Sequence, residues 1–385
     1  MELTDVEIKE RIADGRISGI SLDTSIFDGN GNRFERGLLA KLNQFKNTSV
    51  EFVLSDVVLG EVRSHVIRDA QEAKSTTVAA LKEVGRSWQI SNEQREAALT
   101  ALFGVEGCEE LAERRIKAFQ DATEFEAVAS NDRVDIDRLL MAYFSSKAPF
   151  GLSTSKKSEF PDAIALLALE SWAKERDLLL LLVSKDGDWK KFSKDSAQLI
   201  VVEDLALALS YFHQNADVAC ARLAHRLQEG SLNIEADLQR AVQFAVDRIN
   251  FIPEVSSGYY FDAELGEVEI TEIALQEDAY SSGPFRVVDK PEDELLVVEA
   301  EVVVTIDVNA YMTFSIYDSI DKDEVPIGGA TPRTEATMTF KVLLTFEGDL
   351  AGDAELVDAE IEVAKSNVYV DFGDVGPDWE PEEED

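Results

Sequence analysis

Four acidic residues stand where carboxylates could act together on a phosphodiester. Asp23 follows the apolar run Ile17 to Leu22, and Asp186 follows the run Leu178 to Val183. Asp162 comes directly after Pro161 and ahead of the apolar stretch Ala163 to Trp172. Glu61 lies about one and a half turns into the helical pattern that starts behind Val50 to Leu54. Crowded carboxylates repel one another unless a cation offsets their charge. Mg²⁺ and Mn²⁺ are hard ions that take oxygen ligands and retain water, so this residue type suits them. Such an ion activates a water for in-line attack and stabilises the leaving oxygen, with two ions about 4 Å apart in the full arrangement. Read singly, any one of the 76 acidic residues is equally a solvated carboxylate or a helix cap. An Asp directly behind a buried strand is the exception, because solubility does not call for it there.

The elements that must position these residues are legible in the first half of the chain. Ile17 to Leu22 and Val50 to Leu54 read as strands, and Ser55-Asp56 can cap a helix from Val57 to about Arg68. Ser91-Asn92-Glu93-Gln94 has capping-box spacing, and Pro161 suits the first position of a helix through Trp172. Leu178 to Val183 lacks alternation, as a central strand buried on both faces does. Leu199 to Val202 is another strand, and Asp204 to Phe212 another helix. Strands alternating with helices predict an α/β fold with a parallel sheet flanked by helices. Asp23 and Asp186 then share its carboxyl end, where open α/β sheets place ligands.

Beyond residue 250 the period changes to two, as in Glu267 to Ile270 and Val357 to Val363, with further strands at Val302 to Val308 and Thr337 to Leu344. One apolar and one acidic face per strand predicts an acidic antiparallel β domain, arranged as a small sandwich. The expected organisation is a first domain over 1–215 with a helical insertion at about 70–150, and a helical connector over 216–250. An acidic β-rich domain over 251–379 and an acidic tail over 380–385 complete it.

The formal net charge is −39, unusual beside phosphate chemistry, which favours a basic footprint. It is unevenly spread: residues 1–215 hold 36 acidic and 27 basic side chains, residues 216–385 hold 40 and 10. Uniform salt adaptation would acidify both parts alike. The acidic second part argues against direct phosphate binding and suits a basic protein partner or a restraint on the first part. Hydrophobic content of 45% supports a globular chain. Cys108 and Cys220 give neither a disulfide framework nor a CxxC site and fit a reducing compartment. With no signal-like N-terminus and no apolar run of about 20 residues, a cytoplasmic protein is expected.

Lys156, Lys157, Lys185, Lys190 and Lys191 lie near the acids in sequence and are candidates for phosphate contacts, or equally a solvated rim. His65 shares a helix face with Glu61 without forming a zinc-protease motif. Trp189 reads as a packed residue. No Walker-type loop or serine nucleophile elbow is present.

Taken in order, these segments resemble the PIN-domain nucleases. Ser21-Leu22-Asp23-Thr24-Ser25 is similar to their opening strand, Val58-Leu59-Gly60-Glu61-Val62 to their helical Glu, and Glu159-Phe160-Pro161-Asp162-Ala163 to a pattern of one bacterial branch. Val183-Ser184-Lys185-Asp186-Gly187-Asp188-Trp189 resembles their closing motif. The resemblance covers about residues 15–205. It implies Asp23, Glu61, Asp162 and Asp186 as catalytic metal ligands for Mg²⁺ or Mn²⁺ and RNA as the usual substrate. Asp188 would be a fifth, outer-sphere member, and Thr24 and Ser184 hydrogen-bonding partners. Metal-dependent endoribonuclease action is the leading expectation; a DNA-cleaving nuclease of a toxin or defence system, or a catalytically weak PIN-like binding or regulatory module, is the alternative, and an oligomer is compatible with each. The long gap between Glu61 and Asp162 departs from the smallest members, and nothing from residue 216 onward has a counterpart.

Overall fold

The computed structural model describes residues 3–151, 159–213, 217–280, 283–292, 294–318, 323–349, 354–363 and 367–378. The chain divides into two compact units, Met1–Gln214 and Asn215–Asp385. No helix among the described residues is long and apolar enough to cross a membrane.

The first unit is built on a five-stranded parallel sheet in the order β3-β2-β1-β4-β5. Its strands are β1 (Ile17–Leu22), β2 (Glu51–Ser55), β3 (Glu126–Val128), β4 (Leu179–Val183) and β5 (Leu199–Val202). Leu180 to Val183 are wholly buried, as a central strand covered on both faces requires. Helices α1 (Asp5–Ala13), α2 (Thr24–Gly29), α3 (Gly37–Ala40) and α4 (Asp56–Trp88) come before β3, as do α5 (Asn92–Phe103) and α6 (Cys108–Thr123). Then follow α7 (Ile136–Ser145), α8 (Phe160–Glu175), α9 (Gly187–Asp195) and α10 (Leu205–Ser210). The Ser55 hydroxyl accepts from the Val57 N–H at 3.2 Å and starts α4. The capping box Ser91–Gln94 forms as its spacing predicts. Pro161 sits in the first turn of α8, whose alanines, leucines and Trp172 are buried. The Trp172 indole donates to Glu126 at 3.1 Å and ties α8 to the sheet's edge.

The insertion expected over 70–150 is not purely helical. It contains β3, whose three residues are too few to show a period, and Phe119 and Phe125 beside it join an aromatic cluster with Phe27, Phe34 and Phe52. Helix α4 also runs well past Arg68, to Trp88, although its buried side chains are confined to Val58, Val62 and Val66.

The chain winds from β1 outward to β2 and β3, then returns to the other side of β1 with β4 and β5. The switch in direction therefore lies between β1 and β4, and the carboxyl ends of these two strands are where such folds place their ligands.

In the second unit, β7 (Tyr260–Leu275), β8 (Arg286–Glu292), β9 (Leu295–Asp318), β10 (Asp323–Ala330), β11 (Arg333–Glu347) and β12 (Glu355–Ile361) form an antiparallel sheet. A separate parallel pair joins β6 (Asn250–Ser256) to β13 (Asn367–Asp374). The expected strands 302–308 and 337–344 are stretches of the long β9 and β11. Helices α11 (Asp217–Gln228) and α12 (Glu235–Val246) are core elements here, where a connector was expected. Leu223, Leu238 and Val242 pack in one cluster with Val298, Val304 and Val342 of the sheet. Helices α11 and α12 cover the sheet's apolar face and take the place of the second layer that the sandwich expectation supplied, because their own apolar residues bury it. The expected acidic tail, 380–385, lies outside the described residues.

Candidate active site at the carboxyl edge of the parallel sheet

Asp23 leaves β1 at the switch point. It occupies the N-cap position of α2, yet its side chain makes no capping bond. Instead Oδ2 accepts from the Ser25 hydroxyl and, at 2.8 Å, from the buried Ser184 hydroxyl at the end of β4. Ser184 in turn accepts from the Asp186 N–H at 3.0 Å, and Ser25 from the Lys185 N–H at 3.2 Å. Two serines thus join the exits of β1 and β4, adjacent strands whose Leu22 and Val183 are register partners. Hydrogen bonds to a carboxylate contribute roughly 1.5–3 kcal/mol each.

The other three acids are each gripped by one oxygen. Glu61 Oε2 accepts from the Thr24 hydroxyl at 2.7 Å. Asp162 Oδ1 accepts from the Trp189 indole at 2.9 Å. Asp186 Oδ1 accepts from the Asp188 N–H at 2.7 Å and so caps α9. The second oxygen of Glu61, Asp162 and Asp186 makes no hydrogen bond among the described residues. Fixing one oxygen and leaving its twin open is how outer groups orient a carboxylate toward a ligand.

Electrostatics link the four. Burial pushes the Asp162 carboxyl up to about 7; the Trp189 hydrogen bond opposes this, and the charges of Asp23, Asp186 and Glu61 add to it. Burial also raises Asp23, against the hydrogen bonds from Ser25 and Ser184, with Asp186 adding repulsion. Side chains separated by as many as 163 positions in the chain therefore sense one another's charge. The donor set is all oxygen, which suits a hard divalent ion, and its mutual repulsion is what such an ion would relieve. Among the described residues no three His, Cys, Asp or Glu side chains already converge on one ion. Asp23 and Glu61 are turned toward their serine and threonine donors.

Residues 20–189 match the family model of the PIN domain. PIN domains are in general nucleases. No curated protein and no solved structure gives a match, and no family is recognised in the second unit. The PIN match ends at Trp189, so it encloses all four carboxylates and the indole that holds Asp162.

The remaining expected residues of the PIN-like unit are placed as follows. Asp188 forms an ion pair with Lys191 at 2.7 Å, and Lys190 one with Glu203 at 2.7 Å, so both lysines have acidic partners. Lys185 is exposed, and a Cβ added to Gly29 would lie 3.2 Å from its Nζ, which places the ammonium beside the end of α2. Lys156 and Lys157 lie outside the described residues. His65 faces Asp28, with Nδ1 2.9 Å from Oδ1, one turn along from the Thr24–Glu61 bond. Sequence reasoning missed Ser25, Asp28 and the polar role of Trp189. Trp189 is fully buried, as its type suggests, but its single N–H is spent on Asp162. The signal for Ser25 was present in its place two residues after Asp23, a spacing at which a hydroxyl can reach back to a carboxylate.

Proposed function

We propose that the first unit is a divalent-metal-dependent endonuclease that hydrolyses RNA, with Asp23, Glu61, Asp162 and Asp186 as the ligands of Mg²⁺ or Mn²⁺. The observation that carries this reading is the set of four carboxylates at the sheet's switch point, each held by one oxygen, with Asp162 and Asp23 raised by burial and by the charge of their acidic neighbours. When bound, the ion supplies the positive charge that offsets this repulsion and lowers the pKa of its water toward neutrality.

The chain's own residues do the positioning. Ser184 and Ser25 fix the Asp23 carboxylate at the mouth of β1, Thr24 fixes Glu61, and the Trp189 indole fixes Asp162. Asp186 stays aimed by the Asp188 N–H in the first turn of α9. Asp188, paired with Lys191, contributes from the outer sphere. The Lys185 ammonium beside Gly29 is the basic group placed to meet a phosphate, and Lys157 joins it on sequence grounds. Among carboxylates of one sign, a lysine adds local attraction that the unit's net charge does not provide.

The test is cleavage of a labelled single-stranded RNA and the matching DNA with Mn²⁺, Mg²⁺ or EDTA, using wild type beside Asp23→Asn. Metal-dependent cutting of RNA that disappears in the variant, with unchanged circular dichroism, is the expected result. Preferential cutting of DNA would replace the substrate, and cutting that persists in Asp23→Asn would overturn the site. A wild type that binds RNA but never cuts it would make the unit a binding module.

A further inference from the structure

The sheet of the second unit has two unlike faces. Residues of β9 with even numbers, such as Val304, Ile306, Met312 and Phe314, are buried against its core. Their odd-numbered neighbours lie on the other face, and there the aromatic side chains are left in solvent. Tyr260, Tyr311 and Tyr317 are 61%, 57% and 55% exposed.

The register gives two of these tyrosines an acidic partner. Glu264 is directly opposite Tyr311, and Glu324 is directly opposite Tyr317. Directly paired side chains of an antiparallel ladder have Cβ atoms about 5 Å apart, so each tyrosine has a carboxylate-bearing residue as its cross-strand neighbour. One member of each pair is held in place. The Tyr311 ring lies close over Gly266, where any Cβ would meet its Cε2 at 2.9 Å, and Glu324 accepts from the Ser315 hydroxyl at 3.0 Å. Strands β7, β9 and β10 contain no lysine or arginine at all. Among the described residues, Arg333 of β11 is paired in register with Asn309 and lies 3.8 Å from Asp307.

A ring face and a carboxylate side by side form a site for a cationic side chain, the ring through its quadrupole and the acid through a charge-assisted hydrogen bond. Solubility accounts for the acids but not for three tyrosines in solvent. Nucleic acid and anionic lipid are repelled here, and a second copy of this chain would bring the same negative charge. We propose that this face docks an extended polypeptide segment bearing arginine or lysine, with one cation at the Tyr311–Glu264 pair and another at Tyr317–Glu324. Six residues of strand separate the two tyrosines, about 20 Å, so an extended partner presents its cations about six residues apart. The inference is independent of any hydrolysis by the first unit.

The test uses the full chain and a labelled twelve-residue peptide of serines with two arginines six positions apart, followed by fluorescence anisotropy. Its counterpart with glutamates in place of the arginines is the negative probe. Tyr311→Ser with Tyr317→Ser leaves the charge unchanged and should weaken binding about tenfold, as should Glu264→Gln with Glu324→Gln. Tyr311→Phe with Tyr317→Phe keeps the rings and should bind like wild type, which separates ring loss from misfolding. Glu355→Gln with Asp358→Asn removes two charges from β12 and should change affinity less than about twofold. Equal weakening by this control pair, unchanged binding after loss of both rings, or no binding of the peptide by wild type would each overturn the proposal.

Discussion

Replacing Asp162 by Asn deletes a charge that burial and three neighbouring carboxylates already oppose. The carboxyl stands at about 7, against an ordinary value of 3.8, so ionising it in the folded state costs up to about 4 kcal/mol. The side chain is half-buried, and water at its open oxygen screens part of that, leaving about 1–3 kcal/mol to recover. Asn retains an acceptor oxygen for the Trp189 indole, so the substitution removes charge without orphaning the donor. The metal-free variant should therefore be more stable than wild type at pH 8, with a midpoint higher by about 2–4 °C for each kcal/mol. Below pH 3.8 the carboxyl is protonated in both states and the difference vanishes. Between 3.8 and about 7 the folded state keeps a proton that the unfolded state has released, so wild-type stability from this group falls as pH rises. The gain in Asp162→Asn should thus be full above pH 7 and largely gone near pH 4. Tryptophan fluorescence melts in EDTA measure it, since buried Trp172 and Trp189 both report on the first unit. A gain that is equal at pH 4.5 and pH 8, or a destabilisation at pH 8, would refute the electrostatic account. Added Mn²⁺ should raise the wild-type midpoint and raise that of the variant less.

Trp189→Phe removes the donor that holds Asp162 down, so the carboxyl should rise above 7 and the acidic limb of the cleavage–pH profile should shift upward. The same change should cost about 1–3 kcal/mol through the void left in a fully buried site, read by denaturant titration. Thr24→Val frees Glu61 from its 2.7 Å hydrogen bond and should lower the cleavage rate about tenfold, with Thr24→Ser restoring it. In the second unit, buried Glu299 accepts from the Tyr280 hydroxyl at 3.0 Å and from Arg286 at 3.2 Å, with Lys341 at 3.6 Å. Glu299→Ala should therefore destabilise that unit by about 3–5 kcal/mol, seen in calorimetry as a shift confined to its transition.

Four strands of the parallel sheet were legible because they are apolar runs that are largely buried. Ile17 to Leu22 and Leu199 to Val202 match β1 and β5 residue for residue. The acids behind those runs could be located for the same reason, since a strand end fixes where its next residue lies. Which acid each holding group meets could not be read, although the resemblance implies Thr24 and Ser184 as hydrogen-bonding partners. The partners of Asp23, Asp28 and Asp162 come from other segments, and pairing across such distances leaves no trace in local periodicity. Strand β3 escaped because three residues carry no period, and the length of α4 because its later turns bury nothing that would mark a face. In the second unit, period-two alternation located the strands, but their order was not readable: β9 pairs with four different strands along its length.

The serine bridge between the exits of β1 and β4 joins positions 161 residues apart. A ribosome adding about 5–20 residues each second needs roughly 10–30 s to make that interval. Throughout it, Asp23 exists without Ser184, Asp186 or the indole that holds Asp162. A partly synthesised chain thus has strands but no assembled carboxylate cluster, and the cluster appears only after β4 has inserted beside β1. The order of strands in this sheet acts as a timer on the protein's own synthesis.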